Sequence, residues 1–133
     1  MRPRVLVVED SPVLVRPLIR LLARTGYDVH HVDNCGAARA LQDRFDAGVF
    51  DVELPDGLGI DLCAELLARK SIGRAVFYTG VANEGLLKRA LEIAPVVRKS
   101  EEIATLLQAI CPAPAEEAEG ALPEAACCDP RRS

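Results

Sequence analysis

Five polar residues in this chain are of the types that handle phosphate and divalent cations, and each stands at the end of a short apolar run. Glu9 and Asp10 follow Val5-Leu6-Val7-Val8, and Asp51 follows Ala47-Gly48-Val49-Phe50. Thr79 follows Ala75-Val76-Phe77-Tyr78, and Lys99 follows Val96-Val97-Arg98. Carboxylates brought together repel, so Glu9, Asp10 and Asp51 in one place would share a proton or bind a cation. Oxygen-only ligation with open positions suits Mg2+ or Mn2+, held by one or two carboxylates with waters and a phosphate. A carboxylate beside such an ion can attack phosphorus and become an aspartyl-phosphate. Lys99 would then offer a cation and Thr79 a hydroxyl to the phosphoryl oxygens. Gly80 leaves the backbone next to Thr79 open. Positioning and charge neutralisation supply most of the catalysis in such transfers.

The elements that must position these residues are legible in the same runs. Short, Val- and Phe-rich segments bounded by turn residues read as buried parallel strands. In open α/β sheets, ligands bind just beyond the carboxyl ends of the strands, so the four endings are expected to meet in one crevice. Strand and helix alternate five times. Asp10-Ser11-Pro12 starts a helix, with Pro near its first position and Leu14, Leu18, Leu21 and Leu22 at helical spacing. Pro17 costs a helix interior about 3 kcal/mol, so this helix is expected to start later or to bend.

Residues 27–32 read as the second strand, where His30 and His31 point to opposite faces in structural roles. Asn34 caps a second helix reaching about residue 44, and the third strand covers about 47–52. A turn rich in Pro and Gly over 54–59 leads into a third helix over 60–70, with Cys63, Leu66 and Leu67 inward. A fourth helix over 84–93 is expected to bury Leu87, Ala90, Leu91 and Ala94. Ser100 caps the last helix, whose first turn carries Glu101 and Glu102 and whose core stripe is Ile103, Leu106, Leu107 and Ile110.

The chain has 133 residues, which suits one domain with a substantial core. Hydrophobic residues at 50% and charged residues at 27% match a soluble globular protein. A net charge of −4 gives no drive toward nucleic acid or an anionic membrane. No apolar run has the length of a membrane span, and the chain enters its first strand without a secretory signal, so a cytoplasmic location is expected. Composition changes after Cys111. Residues 112–133, rich in Ala, Pro and Glu, read as a flexible tail behind a domain over 1–111. The five cysteines show no CxxC spacing and no nearby His, which disfavours metal binding through sulfur. Cys35 and Cys63 are expected to pack as small apolar residues.

Four motifs, in order, carry a resemblance. They are Val5-Leu6-Val7-Val8-Glu9-Asp10-Ser11-Pro12, Asp51-Val52-Glu53-Leu54-Pro55 with Gly59 beyond, Phe77-Tyr78-Thr79-Gly80, and Arg98-Lys99. Over about residues 3–111 the chain resembles the bacterial two-component response-regulator receiver domain, in its stand-alone, chemotaxis-regulator-like form. That resemblance implies an α/β fold: a doubly wound, flavodoxin-like, five-stranded parallel sheet with strand order 2-1-3-4-5. It implies that Asp51 is the phosphoacceptor, that Thr79 and Lys99 bind the phosphoryl group, and that the domain modifies only itself. It also implies a Mg2+ (or Mn2+) site of Asp10 directly, Glu9 through water, Asp51 and the Glu53 backbone carbonyl. The phosphoryl group would come from a histidine kinase, a histidine phosphotransfer protein or a small phosphodonor. The signal would pass to a protein target on the face of the fourth helix, fifth strand and fifth helix, where Lys88, Arg89, Glu92 and Arg98 are expected at the surface. Neither nucleic acid nor membrane is an expected partner.

The chain departs from the family pattern at four places. Val96 stands where receivers usually carry the aromatic ring that swings inward on activation, so a switch here must use other elements. Ser100 follows the lysine in place of proline, and the bond before it is expected to be trans. Ile93-Ala94-Pro95 lacks the acidic pair of dimerising DNA-binding regulators. The Glu53 side chain adds a negative charge that would slow phosphorylation. Two alternatives remain at this point: a degenerate adaptor that signals by contact alone, and a haloacid-dehalogenase-like phosphatase. Asp51-Val52-Glu53 superficially matches the nucleophile motif of the latter. That family, however, places its acidic metal pair after the lysine and carries a cap domain.

Overall fold

The computed structural model of the chain describes residues 2–101 and 103–110, with the backbone alone at 126–127 and 129–130. The first strand, β1 (Arg4–Val8), is followed by α1 (Pro12–Arg24), β2 (Asp28–Val32), α2 (Cys35–Ala40) and β3 (Phe45–Phe50). A short antiparallel ladder of β4 (Glu53–Leu54) and β5 (Gly57–Leu58) leads to α3 (Gly59–Ala68). Then come β6 (Ile72–Thr79), α4 (Glu84–Leu91), β7 (Val96–Arg98) and α5 (Ile103–Ile110). A further two-residue ladder joins β8 (Ala126–Cys127) to β9 (Asp129–Pro130). The remainder of the expected tail, with Cys111 and Cys128, lies outside the described residues.

Five strands form one parallel sheet in the order β2-β1-β3-β6-β7. Counting the sheet strands alone, this is the expected 2-1-3-4-5. The central strands are apolar on both sides because both sides are covered. Leu6, Val8 and Phe50 face a core made with α2, α3 and α4, through Cys35, Ala38, Ile60, Leu62, Leu66 and Ala90. Val5, Val7 and Val49 face a second core made with α1 and α5, through Leu18, Leu22, Leu106 and Ile110. The sheet register aligns the strand ends. Val8 pairs with Phe50, Phe50 with Phe77, and Thr79 with Arg98. Glu9, Asp51, Thr79 and Lys99 therefore leave the sheet at nearly one level.

Several local expectations are corrected. α1 starts at Pro12 and runs through Pro17. The N–H that Pro17 lacks would have met the carbonyl of Val13 in the first turn, where Val13 itself is 80% exposed. α2 stops at Ala40 and not near residue 44, because Leu41 turns extended (ψ 136°) to hand the chain to β3. Asn34 caps α2 as expected, its Oδ1 accepting the Ala37 N–H at 2.7 Å. β3 ends at Phe50, and α3 begins at Gly59 and ends at Ala68. On α4 only Ala90 is fully buried, while Leu91 is 62% exposed. Leu86, Ile93 and Ala94 make the partial contacts that the sequence assigned to Leu87 and Leu91. Every described peptide bond is trans, including the one before Ser100.

The last helix, α5, begins at Ile103 and not directly after Ser100, so Glu101 lies before it, its carboxylate accepting the Arg98 N–H at 2.9 Å. The other structural assignments fit. Cys35 and Cys63 are free and buried, and burial pushes the Cys63 thiol up to about 12. His30 faces Phe45 on one side of the sheet (ring centroids 5.8 Å apart). His31, on the other side, reaches the Glu9 carbonyl. No described helix is long and apolar enough to cross a membrane.

Candidate functional site

Beyond the carboxyl ends of β1, β3, β6 and β7, the chain turns away from the sheet and leaves polar side chains facing one crevice. Asp51 is held there first by its backbone, whose N–H donates to the Val8 carbonyl at 3.0 Å. Its carbonyl is crowded by Gly59: a Cβ at residue 59 would sit 1.7 Å from the Asp51 carbonyl oxygen. The Gly59 N–H donates to the Val52 carbonyl at 2.7 Å, so the start of α3 lies directly against the segment carrying Asp51. Only a residue without a side chain permits that approach.

Lys99 ties two strand ends together. Its Nζ lies 3.0 Å from Asp51 Oδ2 and 3.1 Å from Glu9 Oε1. Its backbone N–H donates to the Thr79 carbonyl at 2.8 Å, which fixes the root of the side chain. Burial works against the ammonium charge, but the hydrogen bonds and charges of Asp51 and Glu9 outweigh it and raise its proton affinity. Lys99 is therefore a fixed cation at neutral pH.

Glu9 is 2% exposed, the most deeply buried of the three carboxylates. It accepts the Ser11 N–H at 3.0 Å and bonds Lys99. Burial, and then the like charge of Asp51, raise its pKa above the ordinary carboxylate value. A buried group that resists ionisation beside a second carboxylate is under electrostatic load, which a divalent cation would relieve. Asp10, by contrast, is exposed. One carboxylate oxygen from each of Glu9, Asp10 and Asp51 lies within 4.8 Å of the others, a donor set of hard oxygen ligands able to hold a cation.

Thr79 is fully buried at the end of β6, and its Oγ1 accepts the Val81 N–H at 3.0 Å. The hydroxyl proton remains free to donate. Asp51, Glu53, Thr79, Gly80, Val81 and Lys99 line a cleft of about 220 Å3. A larger hollow of about 450 Å3 lies along the outside of α1 and is lined by Pro12, Val13, Arg16, Pro17 and Arg20. It lacks the mixture of acid, hydroxyl and amine that meets in the smaller cleft.

All five strand-end residues singled out in the sequence are thus brought together, with Glu53 at the rim. Sequence reasoning missed two supports. Asp56, in the turn between β4 and β5, accepts the N–H groups of Cys35 (2.7 Å) and Gly36 (2.9 Å), pinning that turn to the start of α2. His31 bonds the Glu9 carbonyl. An Asp beside Gly in a turn signals capping only of its own turn, and a His in a strand signals nothing by spacing, so neither role was readable.

The comparisons with known proteins agree with this geometry. The response regulator receiver domain family matches residues 5–111. The DNA-binding transcriptional activator DevR/DosR of Mycobacterium tuberculosis is 36% identical over 94 residues, covering 66% of this chain and 42% of that protein. The chain therefore spans less than half the length of this curated relative. Among solved structures, the signal receiver domain of an HD domain-containing protein from Pseudomonas fluorescens Pf-5 superposes with a TM-score of 0.75 at 25% identity. It covers 81% of this chain and 83% of the other. A response regulator protein from Burkholderia pseudomallei, solved with a phosphorylated aspartic acid, a calcium ion and citrate, gives a TM-score of 0.69 at 25% identity. It covers 82% of this chain and 66% of the other. With the family match extending over most of the described residues and the sheet order and strand-end crevice in place, the chain belongs to the response regulator receiver domain family.

Proposed function

We propose that the domain accepts a phosphoryl group on Asp51 and signals by changing its contacts with other proteins. The observation that carries this reading is the position of Lys99 Nζ, 3.0 Å from Asp51 and 3.1 Å from Glu9, at the edge of a three-carboxylate cluster. Asp10, Asp51 and the Glu53 backbone carbonyl would hold Mg2+ or Mn2+, with Glu9 assisting through water. A bound divalent cation would neutralise charge between the acidic cluster and the phosphoryl oxygens. Support for that site comes from Glu9, whose raised pKa reflects burial and the repulsion of Asp51.

The donor would be a histidine kinase, a histidine phosphotransfer protein or a small acyl phosphate. A carboxylate oxygen of Asp51 attacks phosphorus as the bond from phosphorus to the leaving atom breaks. With a phosphohistidine donor, the imidazole nitrogen leaves with the electron pair. Lys99 then turns from the Asp51 carboxylate to a phosphoryl oxygen. The Thr79 hydroxyl donates to a second oxygen while still accepting from Val81. Attack of water on phosphorus later returns inorganic phosphate and the free carboxylate, so the chemistry is confined to the domain itself. The nearby Glu53 charge slows the first step by repelling an anionic donor.

Output through protein contacts on the α4–β7–α5 face is part of this reading. A net charge of −4 supports a protein partner over a nucleic acid. The DNA binding named for DevR/DosR belongs to a protein of which this chain aligns with 42%. Intact-mass analysis of the full chain after acetyl phosphate and Mg2+ tests the phosphoacceptor. A gain of about 80 Da, the mass of HPO3, that disappears in Asp51→Asn is expected. An adduct that persists in Asp51→Asn, or no adduct from acetyl phosphate and any cognate kinase, refutes it.

A further inference from the structure

The three carboxylates of the cluster are not held equally. Glu9 is fixed by the Ser11 N–H and Lys99, and Asp51 by Lys99. Asp10 is exposed, and among the described residues its carboxylate makes no hydrogen bond or ion pair. Its position is set by the backbone that carries it. The β1–β2 ladder ends at the pair Val8 and Val32, with a last backbone bond from the Glu9 N–H to the Val32 carbonyl at 3.2 Å. Beyond that bond, the peptide joining Glu9 to Asp10 has left the sheet.

His31 supplies the next tie. Its Nε2 lies 2.8 Å from the Glu9 carbonyl oxygen, which is the oxygen of that peptide. A backbone carbonyl can only accept, so Nε2 carries the proton, and the bond is kept whether or not Nδ1 is also protonated. The ring reaches the peptide from the edge strand β2, on the side of the sheet covered by α1. With Asp10, Arg16 and Asp33 it lines a hollow of about 200 Å3 next to the acidic cluster. This bond restrains the orientation of the peptide before Asp10, and with it the direction in which the Asp10 carboxylate leaves the backbone.

We propose that His31 is a positioning residue for the cation site, acting through the Glu9–Asp10 peptide to aim the Asp10 carboxylate. The inference rests on the reading of Glu9, Asp10 and Asp51 as cation ligands. Groups that orient metal ligands are commonly worth 10- to 100-fold in affinity, and a tie to the ligand's backbone belongs near the lower end, about tenfold. Both atoms of the bond are part-buried, so water replaces it poorly.

The test uses the full chain and measures Mn2+ binding directly, from the electron paramagnetic resonance signal of the free ion. His31→Phe keeps a ring in the edge strand and removes the donor. His31→Gln restores an N–H donor on a side chain of different shape. His31→Leu removes the donor with a smaller side chain and serves where the Phe ring prevents folding. Loss of the donor is expected to weaken Mn2+ binding about tenfold, with His31→Gln recovering most of it, while metal-free thermal unfolding does not track the affinities. Wild-type affinity in His31→Phe and His31→Leu overturns the proposal. So does a His31→Gln variant as weak as His31→Phe, which would make the role one of ring packing. If the wild-type chain binds no Mn2+, or Asp10→Asn leaves its affinity unchanged, the cation-site reading itself fails.

Discussion

Replacing Gly59 by Ala sets two physical effects against each other. Gly59 is the first residue of α3 and is not among the positive-φ glycines, so its backbone conformation suits any residue. On helix propensity and unfolded-state entropy alone, Ala should stabilise by about 0.4–1 kcal/mol. The structure predicts the opposite sign. The added Cβ would meet the Asp51 carbonyl oxygen at 1.7 Å, half the 3.4 Å at which ordinary contact begins, and the carbonyl carbon at 2.9 Å. Overpacking that side chains can relieve costs about 1–3 kcal/mol. Here both partners are backbone, and no rotamer change helps. A net loss of about 3 kcal/mol is expected, together with a displaced Asp51. A shift of about 1 Å at a reacting group is worth roughly 100-fold in rate. Urea unfolding followed by far-ultraviolet circular dichroism measures the first quantity, and the rate of the acetyl-phosphate mass shift measures the second. A Gly59→Ala protein that is as stable as wild type and phosphorylates at the wild-type rate would refute the close-approach argument.

The charged cluster gives two more predictions. Glu9 has a raised pKa, from burial and then Asp51, so the folded state favours its protonated form. Its stabilising contribution is full below the ordinary value of 4.5 and is lost as pH rises through the raised value. Glu9→Gln is therefore expected to be more stable than wild type in metal-free buffer at pH 7, with the difference closing as pH falls below 4.5. Denaturation midpoints across pH check the direction. Lys99→Met leaves Glu9 and Asp51 without their shared cation and should lose about 3 kcal/mol at pH 7, partly recovered on acidification as Glu9 takes up a proton. A pH-independent deficit in that variant would contradict the pairing.

Much of the fold is legible because the central sheet strands are buried on both faces. Val5 to Val8 and Ala47 to Phe50 read as buried parallel strands, and the polar residue closing each run falls at the carboxyl end of the sheet. The candidate site was legible for the same reason, since register follows once the strands are parallel. Helix surfaces were harder. For the fourth helix, the spacing of Leu87, Ala90, Leu91 and Ala94 and that of Leu86, Ala90, Ile93 and Ala94 are both helical, although α4 ends at Leu91 and Ile93 and Ala94 lie in the turn beyond it. Only the sheet beneath selects the second. The sequence pattern of α2 runs past its end because Ala- and Arg-rich sequence favours helix wherever it stands, whereas the chain has to extend at Leu41 to reach β3. The ties made by His31 and Asp56 cross 22 and 21 residues of sequence, which no local pattern records.

The sparse anchoring of α4 has a consequence for motion. Of its eight residues only Ala90 is fully buried, and Leu91 stands in solvent. A helix held by so little apolar contact opens locally at a small fraction of the global unfolding free energy. Its amides should exchange with deuterium by subglobal opening well before those of β1 or β3. That segment begins four residues after the Thr79–Gly80 junction, at the end of the loop whose Val81 N–H bonds the Thr79 hydroxyl. Under the proposed function, with Val96 in place of a swinging ring, phosphorylation would act on how often α4 is docked, a signal read in populations more than in the rotation of one side chain.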